Sequence, residues 1–162
     1  MKRIIVSSDS TAYHLKEAVT AHLEELGYDI VDKSISETGE LLPYYEAGRR
    51  VGEAVSSGDF QWGLLFCGSG MGVNIVANRY QDVYCALCES VHTAVLARKI
   101  NNANVLALGG NIVAHDMACA MAETFFATEF LEGMDGNRQF LSDAIDILHE
   151  LDAKAHHAQK KQ

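Results

Sequence analysis

No apolar run in the 162-residue sequence approaches the roughly 20 residues a bilayer-spanning helix needs. The opening stretch MKRIIVSSDS holds only about three apolar residues in a row, too few for a secretory signal. Positive charge is scarce as well. Thirteen Lys and Arg face 22 Asp and Glu, a formal net charge of -9. A phosphate backbone needs a basic footprint, so nucleic acid is excluded as the main partner, while a small anion in a local pocket is not. There is no internal repeat and no linker-like stretch. One domain is therefore expected over residues 1–150, with a polar tail over 151–162 that frays into solvent. The adjacent His156 and His157 in that tail read as solvated rather than as a metal site. Four cysteines without a secretory signal point to reduced thiols and a cytoplasmic protein.

What is present is 48% hydrophobic residues, enough for a substantial core at this length. They fall into alternating strand-like and helix-like segments. Strands are predicted over residues 3–8, 28–33, 62–68, 83–88 and 104–110. Helices are predicted over 12–27, 43–58, 71–80, 90–100, about 113–130, and from about 137 through 151. Leu15, Val19, Leu23 and Leu26 share a helical spacing that ends at Gly27, and the lone Pro43 stands at a helix start. Alternation of this kind implies right-handed crossovers and a parallel sheet covered on both faces. The expected fold is a three-layer α/β/α doubly wound, Rossmann-like domain on five parallel strands.

Ligand sites in such sheets lie at the carboxyl ends of the strands. That rule selects Ser8, Asp9 and Ser10, then Cys67 to Gly72, then Glu89 and His92, then Gly109 to Asn111. The loop CGSGMG (67–72) is not a P-loop, since no Gly-Lys-Ser/Thr follows. Nor does it fit a dinucleotide fingerprint, having G-x-G-x-G spacing after the third strand. Either it makes a tight turn, or its bare backbone cradles a substrate oxyanion with help from the following helix N-terminus. Cys67 at the strand's carboxyl end favours chemistry over a core role, as nucleophile or base. Cys85 and Cys88 point to opposite faces of a strand and make a poor redox or zinc pair, and Cys119 reads as core. Asp9 either caps the next helix or works in the site. His92 either packs its helix or handles protons.

These segments resemble the type B ribose-5-phosphate isomerases and the galactose-6-phosphate isomerase subunits. The likeness spans nearly the whole chain: the strand ending in Asp9, GYDIVDKS, the run from Pro43 to Arg79, NNANVLALGG and the last helix. CGSGMGVNIVANR resembles the family's C-G-T-G-x-G-x-x-x-x-A-N-K and is its most specific part.

The resemblance implies an aldose–ketose isomerase that needs no cofactor and no metal and acts through an enediolate. It implies Cys67 as the base, Ser69 in place of the family threonine, and the amides of Gly68, Gly70, Met71 and Gly72 around the enediolate oxygen. It implies Asp9 on sugar hydroxyls, Asn101 as a family asparagine, and a pocket shared across a homodimer or homotetramer. Tyr44, beside the family's proline, joins the substrate-binding set. The departures are Ser10 for a histidine, Ile100 for another, Asn111 for a basic residue, Leu42 for a tyrosine, and GMDGNRQF for G-R-H-x-x-R, with only Arg138 nearby. The proton-transfer half is kept and substrate recognition is altered from ribose 5-phosphate. A tetrose that cannot close a ring, or a non-phosphorylated sugar, fits that change. A non-catalytic carbohydrate-binding or regulatory homologue is the alternative, against which stand Cys67 and Asp9. The very apolar segment DMACAMAETFFATEF is expected to need a partner subunit to cover it.

Overall fold

The computed structural model describes residues 2–159. In chain order they form β1 (Arg3–Ser8), a 3-10 turn (Ser10–Ala12), α1 (Tyr13–Glu25), β2 (Asp29–Asp32), α2 (Tyr44–Ser56), β3 (Trp62–Cys67), α3 (Met71–Ala77), β4 (Cys85–Leu87), α4 (Val91–Lys99), β5 (Val105–Gly109), α5 (His115–Ala127), a second 3-10 turn (Asp135–Asn137) and α6 (Arg138–Gln159). The five strands make one sheet in the order β2-β1-β3-β5-β4, and every pairing is parallel.

Burial follows that order. WGLLFC in β3 and VLALG in β5 are buried at every residue, because interior parallel strands are covered on both faces. The edge strands β2 and β4 are only half-buried. Side-chain alternation sends Ile4, Val6, Leu64, Phe66, Leu106 and Leu108 to one face, where they meet α1, α4 and α5. Ile5, Leu65, Cys67, Val105 and Ala107 go to the other face, under α2 and α3.

Three expectations need correction. The helix predicted to 130 ends at Ala127, and the one predicted to stop near 151 continues to Gln159. A polar stretch can stay helical when its partners lie at i+4, and Lys154 pairs with Glu150 and His156 with Asp152. His156 also contacts the Arg79 carbonyl, which ties this segment to the fold. The rest of the expected tail, residues 160–162, lies outside the described residues. Finally, α5 does not present an uncovered apolar face: Ala118, Met121, Ala122, Phe125 and Phe126 are buried within the chain. On α5 Met117 is exposed, and further exposed large apolar side chains include Leu41, Tyr44, Tyr45, Met71 and Ile75 around α2 and α3, and Phe140, Ile147 and Leu151 along α6.

A buried polar network braces the carboxyl end of β1. Lys16 is fully buried, pairs with Asp32 at 2.5 Å and with Glu17, and lies over the Tyr13 ring. Burial works to lower its pKa, but the hydrogen bonds and charges of Asp32 and Glu17 outweigh that and hold it above the ordinary lysine value. Asp32 Oδ1 accepts from Ser34 N and Oγ, and Ser34 Oγ accepts from Ser8 N at 3.1 Å. The last residue before Asp9 is thus anchored by side chains as well as by the ladder.

Candidate active site

After β1 the chain passes into α1 on one face, and after β3 into α3 on the other. The segments leaving these adjacent, paired strands therefore diverge to opposite faces, the arrangement that forms a ligand crevice in such sheets. Ser8 pairs with Phe66, which sets Asp9 level with Cys67. Asp9 stays extended (φ -86, ψ 179), its N–H donates to the Phe66 carbonyl, and it forms a parallel bridge with Leu42. By parity both side chains leave the α2/α3 face. Cys67 itself pairs with Gly109 of β5.

Cys67 is 4% exposed and belongs to the apolar cluster of Ile5, Leu42 and Val73. The core reading, discounted from the sequence, thus describes where its thiol sits. The same residue opens the glycine loop. The carbonyls of Cys67 and Gly68 accept from Gly110 N and Asn111 N, both at 2.9 Å. The loop is held by β5, while the N–H groups of Ser69, Gly70 and Gly72 have no acceptor among the described residues. Ser69 Oγ accepts from Met71 N at 3.3 Å. Gly70 has φ 75, and a Cβ there would stand 2.5 Å from Leu87 Cδ1 and 3.0 Å from the Leu108 carbonyl carbon. Only glycine suits that position. A Cβ on Gly72 would strike the Tyr44 ring at 2.6 Å, so Tyr44 roofs the start of α3, with Met71 exposed beside it.

The crevice therefore gathers Asp9, Ser10, Cys67 to Gly72, Tyr44 and Asn111 at one edge of the sheet. Ser10 and Asn111 are exposed, and their side chains have no hydrogen-bond partner among the described residues. His92 stands at the same edge as the second residue of α4. Its helix is capped by Ser90 and Thr93, not by His92. β5 separates its strand from β3. Asn101 and Arg138 are not brought to this crevice. α4 runs back antiparallel to the strands, so Asn101 falls beyond its far end. The neighbouring Asn104 carbonyl accepts from Gly63 N at the start of β3. Arg138 is on that side too: it reaches toward the Leu131 carbonyl, and Leu131 N donates to Lys99 O.

Other candidates carry less. Burial pushes Cys85 up to about 12 and raises Cys88 and Cys119, which disfavours their thiolate forms. A cleft of about 570 Å3 at the end of β2 is lined by Arg49 and Arg50, but these are spent on Glu46, Glu53 and the Ile35 carbonyl. The hydrogen-bonded Arg49 guanidinium holds the Glu46 carboxyl at about 2. Sequence reasoning missed Thr11, whose N–H and hydroxyl both donate to Asp9. An Asp-x-Thr step after a buried strand was its only signal.

The profile of the ribose/galactose isomerase family matches residues 4–140. The 4-deoxy-4-sulfo-D-erythrose isomerase of a Clostridium species is 41% identical over 143 residues, covering 88% of this chain and 90% of that one. The D-erythrulose-4-phosphate isomerase of Pectobacterium atrosepticum is 35% identical over 133 residues, with 82% and 88% covered. The solved ribose-5-phosphate isomerase B of Clostridium thermocellum superposes with a TM-score of 0.82 at 31% identity, covering 94% of this chain and 99% of the other. Thiol, glycine loop, sheet order and sequence agree, and the chain belongs to the ribose/galactose isomerase family.

Proposed function

We propose that this protein is an aldose–ketose isomerase for a four-carbon sugar with an anionic terminal group, and that a sulfonate suits it better than a phosphate. One observation carries the reading. The crevice sets Asp9 level with Cys67 beside a loop of free amides, and its own chain offers neutral Ser10 and Asn111 where the resemblance has a histidine and a basic residue. The Cys67 thiolate removes the proton from the hydroxyl-bearing carbon next to the carbonyl. The electron pair moves to the carbonyl oxygen, and the loop amides hold the enediolate that results. The proton returns to the former carbonyl carbon, while Asp9 handles the hydroxyl that becomes the new carbonyl. Ser69 fixes the loop and His92 serves at the rim beyond β5.

A four-carbon aldose substituted at its last carbon has no hydroxyl left to close a ring, so the absent ring-opening histidines cost it nothing. A sulfonate carries one negative charge and a phosphate monoester about -1.5 to -2. Neutral donors satisfy the smaller charge more readily, and the net charge of -9 repels the larger one more. The two relatives named for four-carbon substrates support this choice.

The reading includes a dimer. Asn101 and Arg138 can serve this crevice only if a second copy turns its opposite sheet edge toward it. The exposed apolar side chains beside the crevice and along α6 offer area for that contact. Free cysteines fit a reducing compartment such as the cytoplasm, and no helix among the described residues is long and apolar enough to cross a membrane.

The test is a substrate panel in D2O, following loss of the carbon-bound proton and formation of ketose. Turnover of 4-deoxy-4-sulfo-D-erythrose should exceed that of D-erythrose 4-phosphate, and both should exceed ribose 5-phosphate. The last margin is several powers of ten if each missing charge-assisted hydrogen bond costs about 1.5–3 kcal/mol. Efficient turnover of ribose 5-phosphate would overturn the choice of substrate.

A further inference from the structure

We propose that Thr11 is a positioning residue that fixes the Asp9 carboxylate against the glycine loop, an inference that rests on the reading of Asp9 as a substrate-handling group. Asp9 Oδ1 accepts twice from Thr11, from its N–H at 2.9 Å and from its hydroxyl at 2.5 Å. Oδ2 accepts from nothing among the described residues. One oxygen is thus committed to the protein and the other is left for a ligand. The backbone bond alone would cap the 3-10 turn. The hydroxyl bond does more, because it sets the rotation of the carboxylate as well as its location.

Two further contacts show that Thr11 is itself held. Its Oγ1 stands 3.2 Å from the point where a Cβ on Gly68 would sit, and Asn111 Nδ2 stands at the same 3.2 Å. The hydroxyl therefore fills space that the bare residue after Cys67 leaves open. Behind it, a Cβ on Gly110 would fall 2.7 Å from Ala12 Cβ and 3.3 Å from the Thr11 carbonyl oxygen, so the β5 loop is packed hard against the 10–12 turn. A β-branched side chain also has few χ1 choices, which keeps the hydroxyl in place. Asp9, Thr11 and Gly68 form a rigid spacer between the carboxylate and the thiol's own loop. Proton transfer is sensitive to such spacing, since displacements near 1 Å cost about a hundredfold in rate.

The experiment compares Thr11→Val, Thr11→Ser and Asp9→Asn, alone and combined, with 4-deoxy-4-sulfo-D-erythrose as the probe. Thr11→Val keeps shape and branching but deletes the donor. It should lower kcat about tenfold or more while KM stays within about threefold and Tm hardly moves. Thr11→Ser should recover most of the loss. In the Asp9→Asn background, Thr11→Val should cost little further, because the group it positions is already gone. Asp9→Asn with wild-type turnover overturns the role of Asp9 and this inference with it. An impaired Asp9→Asn beside an unaffected Thr11→Val overturns the Thr11 inference alone. So does a Thr11→Val loss of equal size in both backgrounds. If Thr11→Val does not fold, Thr11→Ala is read by the same comparison.

Discussion

The two edges of the sheet treat their polar groups differently. At the amino-terminal edge they are paired. Buried Arg98 donates to the carbonyls of Thr128 and Ala103 and to Asn102 Oδ1, and lies over Trp62. Asn104 bonds Tyr84 N and the Asp82 carbonyl, and Asp152 accepts from Asp82 N and the Tyr84 hydroxyl. At the carboxyl-terminal edge the Cys67 thiol, Ser10, Asn111 and several loop amides have no partner among the described residues. An unpaired polar group costs free energy unless water or a ligand completes it, so the unpaired edge is where a substrate belongs. Asn101 and Arg138 are the exceptions at the paired edge. Among the described residues Asn101 has no side-chain hydrogen bond, and Arg138 makes only long contacts to Leu131 O and Asp135. Both are exposed, and the proposed dimer would give them a use.

The sharpest way to break this contrast is Cys67→Ala. If the open edge carries the chemistry, proton exchange into D2O should fall about a hundredfold or more while the melting temperature moves little. Turnover near wild type would move the chemistry elsewhere.

The exceptions are tested by complementation. Cys67→Ala and Asn101→Ala chains should each be poorly active alone. Mixed in equal amounts and allowed to exchange, they should recover about a quarter of wild-type activity, since half the dimers would be mixed and each would own one intact site. No recovery, or sedimentation as an active monomer, would return Asn101 to a structural role.

The smallest effect belongs to the paired edge. The His156 ring nitrogens lie 3.0 Å from the Asp152 carbonyl and 3.1 Å from the Arg79 carbonyl. Only the doubly protonated ring donates to both, and the Arg79 bond leads the rise in its pKa. A raised folded pKa means the stabilisation is fully present below about 6.5, the unfolded value, and fades as pH rises through the folded one. Protection factors of the amides in the last turns of α6, taken against the intrinsic exchange rate at each pH, should fall between pH 6 and 8 in the wild type and stay level in His156→Gln. An equal profile in both would show that the tether is neutral.

Much of this contrast is visible in the sequence, though unevenly. β1, β3 and β5 were legible because a strand buried on both faces must be apolar throughout. Cys67 and Asp9 were legible because they close such runs. β4 shrank to three residues because an edge strand pairs on one side only. Thr11 was hidden because its importance is a distance to Gly68 and Asp9, and hydroxyl residues after a strand are common. Asn101 was grouped with the site by the family resemblance alone, although its place between α4 and β5 already puts it at the amino end of the sheet.

The sequence by itself determined the alternation of elements, the parallel sheet, and the pairing of a thiol with a bare glycine loop, because burial periodicity and backbone freedom are local properties. Only the tertiary structure decided that β5 inserts between β3 and β4, that Asp9 stands level with Cys67, and that Arg138 lies on the far edge. Crossover helices of similar length can skip one strand or none, and strand register is fixed by side-chain packing between segments far apart in the chain.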